Sequence, residues 1–334
     1  MSHSNSSLNC FASCMAKYNH CYVLHSPTCK PVSPHLTFGV MAHDVLYKAG
    51  RLRDDANDGV VNAEEYRGII PSEVLYNDLK QEFGINNWHS YFVNVIKQVA
   101  KYETSLVKEL SDMDSGCVTI EREVKLQLTV EELQELGYMD VKQALVGVVD
   151  LLMYNGSTAY ILDYKFSSSR KTQDDFDLNS QLPIYAMLVH YLYDIPLHNI
   201  KYGYIDIPKK SFDKPALLSS GLLSRSKSQN VSQEMYEKSV TAIHGDDPYY
   251  NCAPGGYYHD AWCNMALNKS AYLSMQYLDM DVYSNVVQDL MDAARVIDTM
   301  KENNIPFLKK YDSYTCSSCE YLTVCKPWLT VGGV

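Results

Sequence analysis

"GVVDLLMYNGSTAYILDYKF", residues 147–166, sets two short apolar runs on either side of Asn155-Gly156, the dipeptide that most strongly signals a hairpin. Within these runs stand Asp150, Asp163 and Lys165, and a charge in a buried strand is costly unless something pairs with it. Taking Tyr154–Ser157 as the connection sets Met153 against Thr158 and Asp150 against Ile161. Side chains alternate faces along a strand, so Ile161, Asp163 and Lys165 share one face and Asp150 joins them. Asp150 and Asp163 are then diagonal neighbours, with backbones about 7–8 Å apart. Two carboxylates at that spacing can bind one divalent cation between them. Lys165 follows one step further along, within reach of a water held by that cation. An odd shift of register would split the set across two faces.

Outward from the hairpin, "CVTIEREVKLQLTV" (117–130) alternates apolar and polar residues and predicts a strand. "NSQLPIYAMLVHYLYD" (179–194) predicts a helix with Asn179 as N-cap and Pro183 in its first turn, where proline is tolerated. "IKYGYIDI" (200–207) predicts a further strand. Upstream, Thr37 to Arg53 has helical spacing with Val40, His43, Leu46 and Tyr47 on one stripe, and residues 72–111 read as helical again. The core order is therefore helix, strand, strand, strand, helix, strand. Residues 209–268 are Ser- and Gly-rich and loop-like, and 280–303 form an amphipathic helix. No element is assigned to the first 30 residues.

The 334 residues carry a formal net charge of −11, which argues against a protein that coats nucleic acid through a broad basic surface. An enzyme that meets phosphate through metal ions and a local patch is compatible with it. The 27 tyrosines serve mainly as packing residues, though near a groove they can stack on bases. No basic head followed by an apolar core opens the sequence, and no apolar run approaches the roughly 20 residues of a membrane helix; the expectation is a cytoplasmic protein without a membrane partner. In such a reducing setting the 10 cysteines read as metal ligands, catalytic groups or buried thiols rather than disulfides.

"GVVD … ILDYK … QLPIY" resembles the PD-(D/E)xK nuclease superfamily, and within it the RecB-like nucleases, which include phage exonucleases and CRISPR-associated adaptation nucleases. The resemblance puts Asp150 and Asp163 at the two acidic positions, Lys165 at the lysine, and Gln181 and Tyr185 at the Q-x-x-x-Y motif, one helical turn apart. "FGVMAHDVLYKAG" resembles the upstream helical motif, in which Gly39-x-x-x-His43 supplies a histidine to the metal. Either Glu121 or Glu123 matches the acidic residue of the first strand. The backbone carbonyl of Tyr164 is a further expected ligand. The sequence departs from the pattern in having "FSSSR" after the lysine, where the family has Thr or Ser-Gly.

The fold so implied is α/β: a restriction-endonuclease-like αβββαβ core over 31–208 with a central mixed sheet flanked by helices. It carries a helical insertion at about 54–115 and a loop-rich and helical extension over 209–304. The chemistry is hydrolysis of a phosphodiester by a water activated with Mg²⁺ or Mn²⁺. Carboxylates suit hard cations, and His43 biases the site toward Mn²⁺. Lys165 orients or deprotonates that water.

Cys316, Cys319 and Cys325 follow a C-x2-C-x5-C spacing, one ligand short of a four-thiolate site. In iron–sulfur members of the RecB-like group, one cysteine near the start joins three near the end around a 4Fe–4S cluster. Ser7-Leu8 and Lys17-Tyr18 resemble that opening pattern and select Cys14, with Cys10 one turn away as its competitor. Zinc is the alternative metal. The cluster would join residues 1–30 and 305–334 in one lobe. Cys21, Cys29, Cys117, Cys252 and Cys263, with Cys10 if Cys14 is the ligand, are expected to be buried thiols.

The resemblance implies a metal-dependent DNA exonuclease acting on single strands or duplex ends in recombination, repair or phage DNA processing, alone or beside a helicase or recombination partner. Its rivals are a CRISPR-type nuclease that trims ends with an integrase, and a non-catalytic DNA-binding scaffold.

Overall fold

A mixed sheet of six strands runs through the centre of the molecule. The computed structural model describes the chain apart from residues 1, 29–32, 57–64, 71–78, 80–81, 86, 114–116, 168–170, 311 and 327–334. The strands are β1 (His3–Ser4), β2 (Thr119–Leu128), β3 (Leu145–Tyr154), β4 (Ala159–Ser167), β5 (Ile200–Pro208) and β6 (Tyr272–Tyr277). The helices are α1 (Asn5–Ser13), α2 (Met15–Tyr18), α3 (Pro34–Asp55), α4 (Trp88–Met113), α5 (Val130–Glu135) and α6 (Gln173–Asp177). There follow α7 (Gln181–Tyr193), α8 (Gln233–His244), α9 (His259–Met265), α10 (Met280–Glu302), α11 (Ser313–Ser317) and α12 (Leu322–Cys325).

The order α3, β2, β3, β4, α7, β5 is the one the sequence predicts. β2 pairs antiparallel with β3 along its whole length, β4 lies antiparallel to β3 and parallel to β5, and β6 closes the far edge antiparallel to β5. Since β2 fills one edge of β3, β1 and β4 must share the other. β4 takes Leu151 to Tyr154 and β1 takes Leu145 and Val146. The edge between them is a fork, and Asp150 lies in it.

Helices α7, α10 and α1 bury one face of the sheet. α7 supplies Leu182, Ile184 and Leu188, all fully buried; each such side chain contributes about 1.5–3 kcal/mol. The N-cap position of α7 is Ser180 rather than Asn179, but Asn179 Oδ1 still accepts from the N–H groups of Gln181 and Leu182 at 2.7 and 2.8 Å. Helices α3 and α4 cover the other face through Phe38, Ala42, Val45, Phe92 and Ile96. The buried stripe of α3 is therefore Phe38-Ala42-Val45-Leu46-Ala49. Val40 and Tyr47, expected on that stripe, are exposed.

Three further expectations are corrected. The hairpin connection is Asn155–Thr158, so that Tyr154 faces Ala159 and Leu151 faces Leu162. Asn155 sets it: its Oδ1 accepts from the N–H of Thr158 at 2.9 Å, its Nδ2 donates to the Leu110 carbonyl at 2.8 Å, and Gly156 supplies a φ of 87°. Residues 209–268 contain α8 and α9 around a small core of Val231, Tyr236, Val240, Tyr258 and Met265. The first 30 residues are not featureless: β1 joins the sheet and α1 packs on α10. The helix expected over 72–111 is seen from Trp88; residues 72–78, like Cys29 and Ser168–Arg170, lie outside the described residues.

The two ends of the chain are tied together. His3 Nε2 reaches Asp298 of α10 at 3.0 Å, and Asp298 also accepts from the Lys142 N–H at 2.7 Å and from the Gln143 amide. The Ala16 N–H donates to the Leu308 carbonyl at 3.1 Å, and Phe11 meets Phe307 edge-on. Among the described residues, no helix is long and apolar enough to cross a membrane.

Candidate active site

The corrected register sets Asp163 directly opposite Asp150, one step past the last paired residues, Leu151 and Leu162. The phase of β3 also changes there. Val149 packs beneath α7, whereas Leu151 packs beneath α3 and α4, although residues two apart on a regular strand face the same way. Across the β2–β3 ladder from Asp150 stands Glu123, between the pairs Arg122–Leu151 and Val124–Val149. Glu123 has a φ of 47°, a left-handed conformation that a side-chain-bearing residue adopts at a cost. That distortion accounts for the phase change: it turns the backbone over and aims Glu123 into the fork.

His43 reaches the same point from α3. Its Nδ1 lies 3.4 Å from Glu123 Oε1 and 3.5 Å from Asp150 Oδ1, and its ring packs edge-on against Tyr164 and Phe166. Among the described residues, His43, Glu123 and Asp150 are the set of three His, Cys, Asp or Glu side chains whose ligand atoms lie within 4.8 Å of one another. Asp150 Oδ2 accepts the Tyr164 N–H at 2.7 Å. Asp163 turns toward Lys165, whose Nζ lies 2.6 Å from its Oδ2.

Electrostatically the cluster is over-supplied with negative charge. Burial, followed by the like charge of Asp163, pushes the Asp150 carboxyl well above the usual carboxylate range, against the pull of His43 and the Tyr164 N–H. Burial also raises Asp163, with Lys165 opposing it. Burial alone would lower the His43 imidazole, but Glu123 and Asp150 outweigh it and the net shift is upward. Glu123 Oε1 and Asp163 Oδ2 are buried, facing His43 Nδ1 and Lys165 Nζ respectively. Carboxylates packed this way carry lone pairs and charge that a divalent cation would satisfy, so the donor set fits one. The site opens through a cleft of about 550 Å³ lined by His35, Gly39, His43, Asp44, Tyr47 and Glu123.

On the α7 side, Lys165 Nζ donates to Gln181 Oε1 at 3.2 Å, and Gln181 Nε2 donates to the Tyr185 hydroxyl at 2.6 Å. The Tyr185 ring packs against Gly147, where a Cβ would come within 2.8 Å of it. Gly147 is thus the seat on which Tyr185, Gln181 and Lys165 are stacked in turn.

Sequence reasoning left Glu121 and Glu123 undivided. The geometry separates them, because both carboxylate oxygens of Glu121 are taken by the hydroxyls of Tyr154 and Tyr193, each at 2.9 Å. It overlooked Arg122, which is almost wholly buried and donates to Glu103 at 2.9 Å and to Asp54 at 3.0 Å, while Arg53 donates to Glu103 at 2.7 Å. This network fastens β2 to α3 and α4 and so fixes the strand of Glu123 against the helix of His43. The one signal was an arginine inside an alternating strand.

At the chain ends, Cys14, Cys316, Cys319 and Cys325 line one small cavity with Lys17, His20 and Lys326. Their sulfurs do not form a set within 4.8 Å of one another. Cys10 does not line that cavity, and burial pushes its thiol up to about 11. Lys326 Nζ lies 3.0 Å from Cys316 Sγ, and Lys17 pairs with Glu320 at 3.2 Å. Of the cysteines expected to be buried, Cys252 is buried, Cys10 and Cys21 are half-buried, and Cys117 and Cys263 are exposed.

A model of the PD-(D/E)XK nuclease superfamily matches residues 2–326. No curated protein matches. A solved structure described as "Crystal structure of SSO0001" aligns at 14% identity with a TM-score of 0.26, covering 84% of this chain and 94% of that one; a likeness at that level carries no argument.

Proposed function

The chain belongs to the PD-(D/E)XK nuclease superfamily, and from that premise we propose that it is a DNA exonuclease of the RecB-like, iron–sulfur type. The observation that carries the reading is the convergence of His43, Glu123 and Asp150 in the fork beside the Asp163–Lys165 pair.

Asp150, Asp163 and His43 would hold the cation, with Glu123 and the Tyr164 carbonyl completing its shell. A divalent ion so held would offset the charge of the phosphate and lower the pKa of a bound water. The imidazole favours Mn²⁺ over Mg²⁺. Lys165 orients the attacking water or, as the neutral amine, takes its proton, and the ammonium balances the charge developing on the phosphate. Gln181 fixes the Lys165 ammonium, and Tyr185 fixes Gln181.

Cys14, Cys316, Cys319 and Cys325 would hold a 4Fe–4S cluster. A single zinc, bound by four thiolates, is the alternative occupant. The cluster's role is structural, closing the two chain ends on each other.

The test is cleavage of end-labelled single- and double-stranded DNA, with 5′ or 3′ ends blocked, in Mg²⁺ and in Mn²⁺. Wild type should shorten strands from a free end, while Asp163→Ala and Lys165→Ala should not. Equal degradation by all three proteins would end the nuclease reading. For the cluster, anaerobic protein should be brown and carry iron; a colourless protein with stoichiometric zinc would overturn that part.

A further inference from the structure

We propose that β6 is a docking edge for a second copy of this chain, which lays its own β6 antiparallel to it across a two-fold axis and joins the two sheets into one. The inference is independent of the nuclease reading above.

An exposed strand edge invites pairing with another chain, and natural sheets blunt their edges with charges, proline, bulges or brevity. Two of the outer strands follow that rule. β1 is two residues long, and β2 carries Glu121, Arg122, Glu123 and Lys125 and is distorted at Glu123. β6 does not follow it. Its sequence, Tyr-Leu-Ser-Met-Gln-Tyr, contains no charge and no proline, and it pairs in unbroken register with Lys201–Asp206 of β5.

The bonds of β6 to β5 fix which groups remain outside. The Leu278 N–H donates to the Ile200 carbonyl at 3.4 Å, continuing the register. Antiparallel alternation then turns the backbone groups of Tyr272, Ser274 and Gln276 toward β5 and those of Leu273, Met275 and Tyr277 away from it. Among the described residues, no backbone group outside the β5 ladder bonds to these three. A two-fold axis through Met275 uses all of them: Met275 faces Met275 of the second copy and Leu273 faces Tyr277, each pair exchanging both N–H···O bonds. An axis through Ser274 would instead call on the Ala271 carbonyl, which already accepts from the Tyr102 hydroxyl at 2.9 Å.

The flanks of the strand select a second copy as the occupant. The axis through Met275 brings residues 267–270 of one copy to residues 279–281 of the other. Lys269 and Asp281 are equally far from Met275 in sequence, so each falls opposite the other, with Asp279 beside them. All three are exposed, and Lys269 and Asp281 form no ion pair among the described residues. Leu267 and Met280, 69% and 44% exposed, come to the same two ends. Opposite charges placed symmetrically about an uncharged strand are what an antiparallel copy of itself requires.

The experiment is sedimentation equilibrium of the full chain at rising concentration. Wild type should approach twice the chain mass of 37.9 kDa. Lys269→Asp sets like charges at both ends and should weaken the dimer by about tenfold, as should Asp281→Lys; the two together should restore it. Tyr277→Pro removes an outward N–H at an edge position where proline is tolerated and should also weaken the dimer. Amide exchange at Leu273, Met275 and Tyr277 should slow as wild type associates, with Ser274 protected throughout. A wild type that stays monomeric at every concentration would overturn the proposal. So would a dimer indifferent to Lys269→Asp or Tyr277→Pro, a double charge variant no tighter than either single one, or association that leaves those three amides unchanged.

Discussion

Asp150 and Asp163 stand opposite each other in the β3–β4 register, one step beyond the last paired residues, and both carboxyls are raised by burial. Each is costly to ionise with the other alongside, and a cation between them removes the cost. Asp163→Asn should therefore leave the metal-free protein as stable as wild type or more so, while lowering Mn²⁺-dependent cleavage by about 10²–10⁴. Wild type should melt higher in Mn²⁺, by about 2.7 kcal/mol at a hundred times the dissociation constant. Melting curves with and without metal check both. An Asp163→Asn protein that gains as much from Mn²⁺ as wild type would remove Asp163 from the metal site.

Gly147 and Tyr185 give a second test. Gly147→Ala sets a Cβ against the Tyr185 ring, and overpacking of this kind costs about 1–3 kcal/mol. If Tyr185 acts by seating Gln181 against Lys165, Gly147→Ala should lower the cleavage rate more than its melting temperature predicts. Gln181→Glu, which keeps an acceptor for Lys165, should retain more activity than Gln181→Leu. Equal losses in the two Gln181 variants would show that the bond to Lys165 is unimportant.

Arg122 and Glu103 are both buried and joined through two guanidinium nitrogens, at 2.9 Å each. Removing one partner of a buried pair strands the other, at a cost of about 3–5 kcal/mol. Arg122→Met should lose about that much in denaturant unfolding, and the double variant Arg122→Met/Glu103→Leu should recover part of it. If the single variant loses less than about 1 kcal/mol, a value typical of exposed pairs, the network does not anchor β2.

The chain's pattern exposed some of this design and hid the rest. Strands β2 to β4 were readable because alternation and Asn155-Gly156 are local signals. The register slipped by two residues because the turn is set by Asn155, which bonds to Thr158 and to Leu110 of a distant helix. β1 is two residues long, too short to show a period, and it exists because β3 has a free edge past the fork. β6 mixes polar and apolar residues on a half-exposed edge. His43, Asp150, Asp163 and Lys165 could be named in advance, but Glu123 could not be separated from Glu121. A positive φ inside a strand leaves no trace in residue type.

Asp298 supplies a pH test away from the metal. Burial alone would raise its carboxyl, but His3, the Lys142 N–H and Gln143 hold it below the usual range. A carboxyl with a depressed folded value stabilises above its unfolded value of about 3.9 and loses that contribution as pH falls through the folded one. The melting temperature of wild type should therefore exceed that of Asp298→Asn at pH 6, and the gap should close below about pH 4. A gap that stays constant from pH 6 to pH 3 would show that Asp298 is not held as the anion.

Glu123 carries the sharpest prediction, because its backbone and its side chain pull in opposite directions. The left-handed conformation costs about 1–2 kcal/mol for a residue with a Cβ, and glycine adopts it without that strain. Glu123→Gly also removes one of three crowded carboxylates. The metal-free variant should therefore melt at or above the wild-type temperature. Its response to Mn²⁺ should shrink and its cleavage should need more metal. Glu123→Gln removes the charge but keeps the strain, and should gain less stability than Glu123→Gly. If Glu123→Gly melts well below wild type, the distortion at this position is not a cost borne for the site; if its metal requirement is unchanged, Glu123 stands beside the cation without touching it.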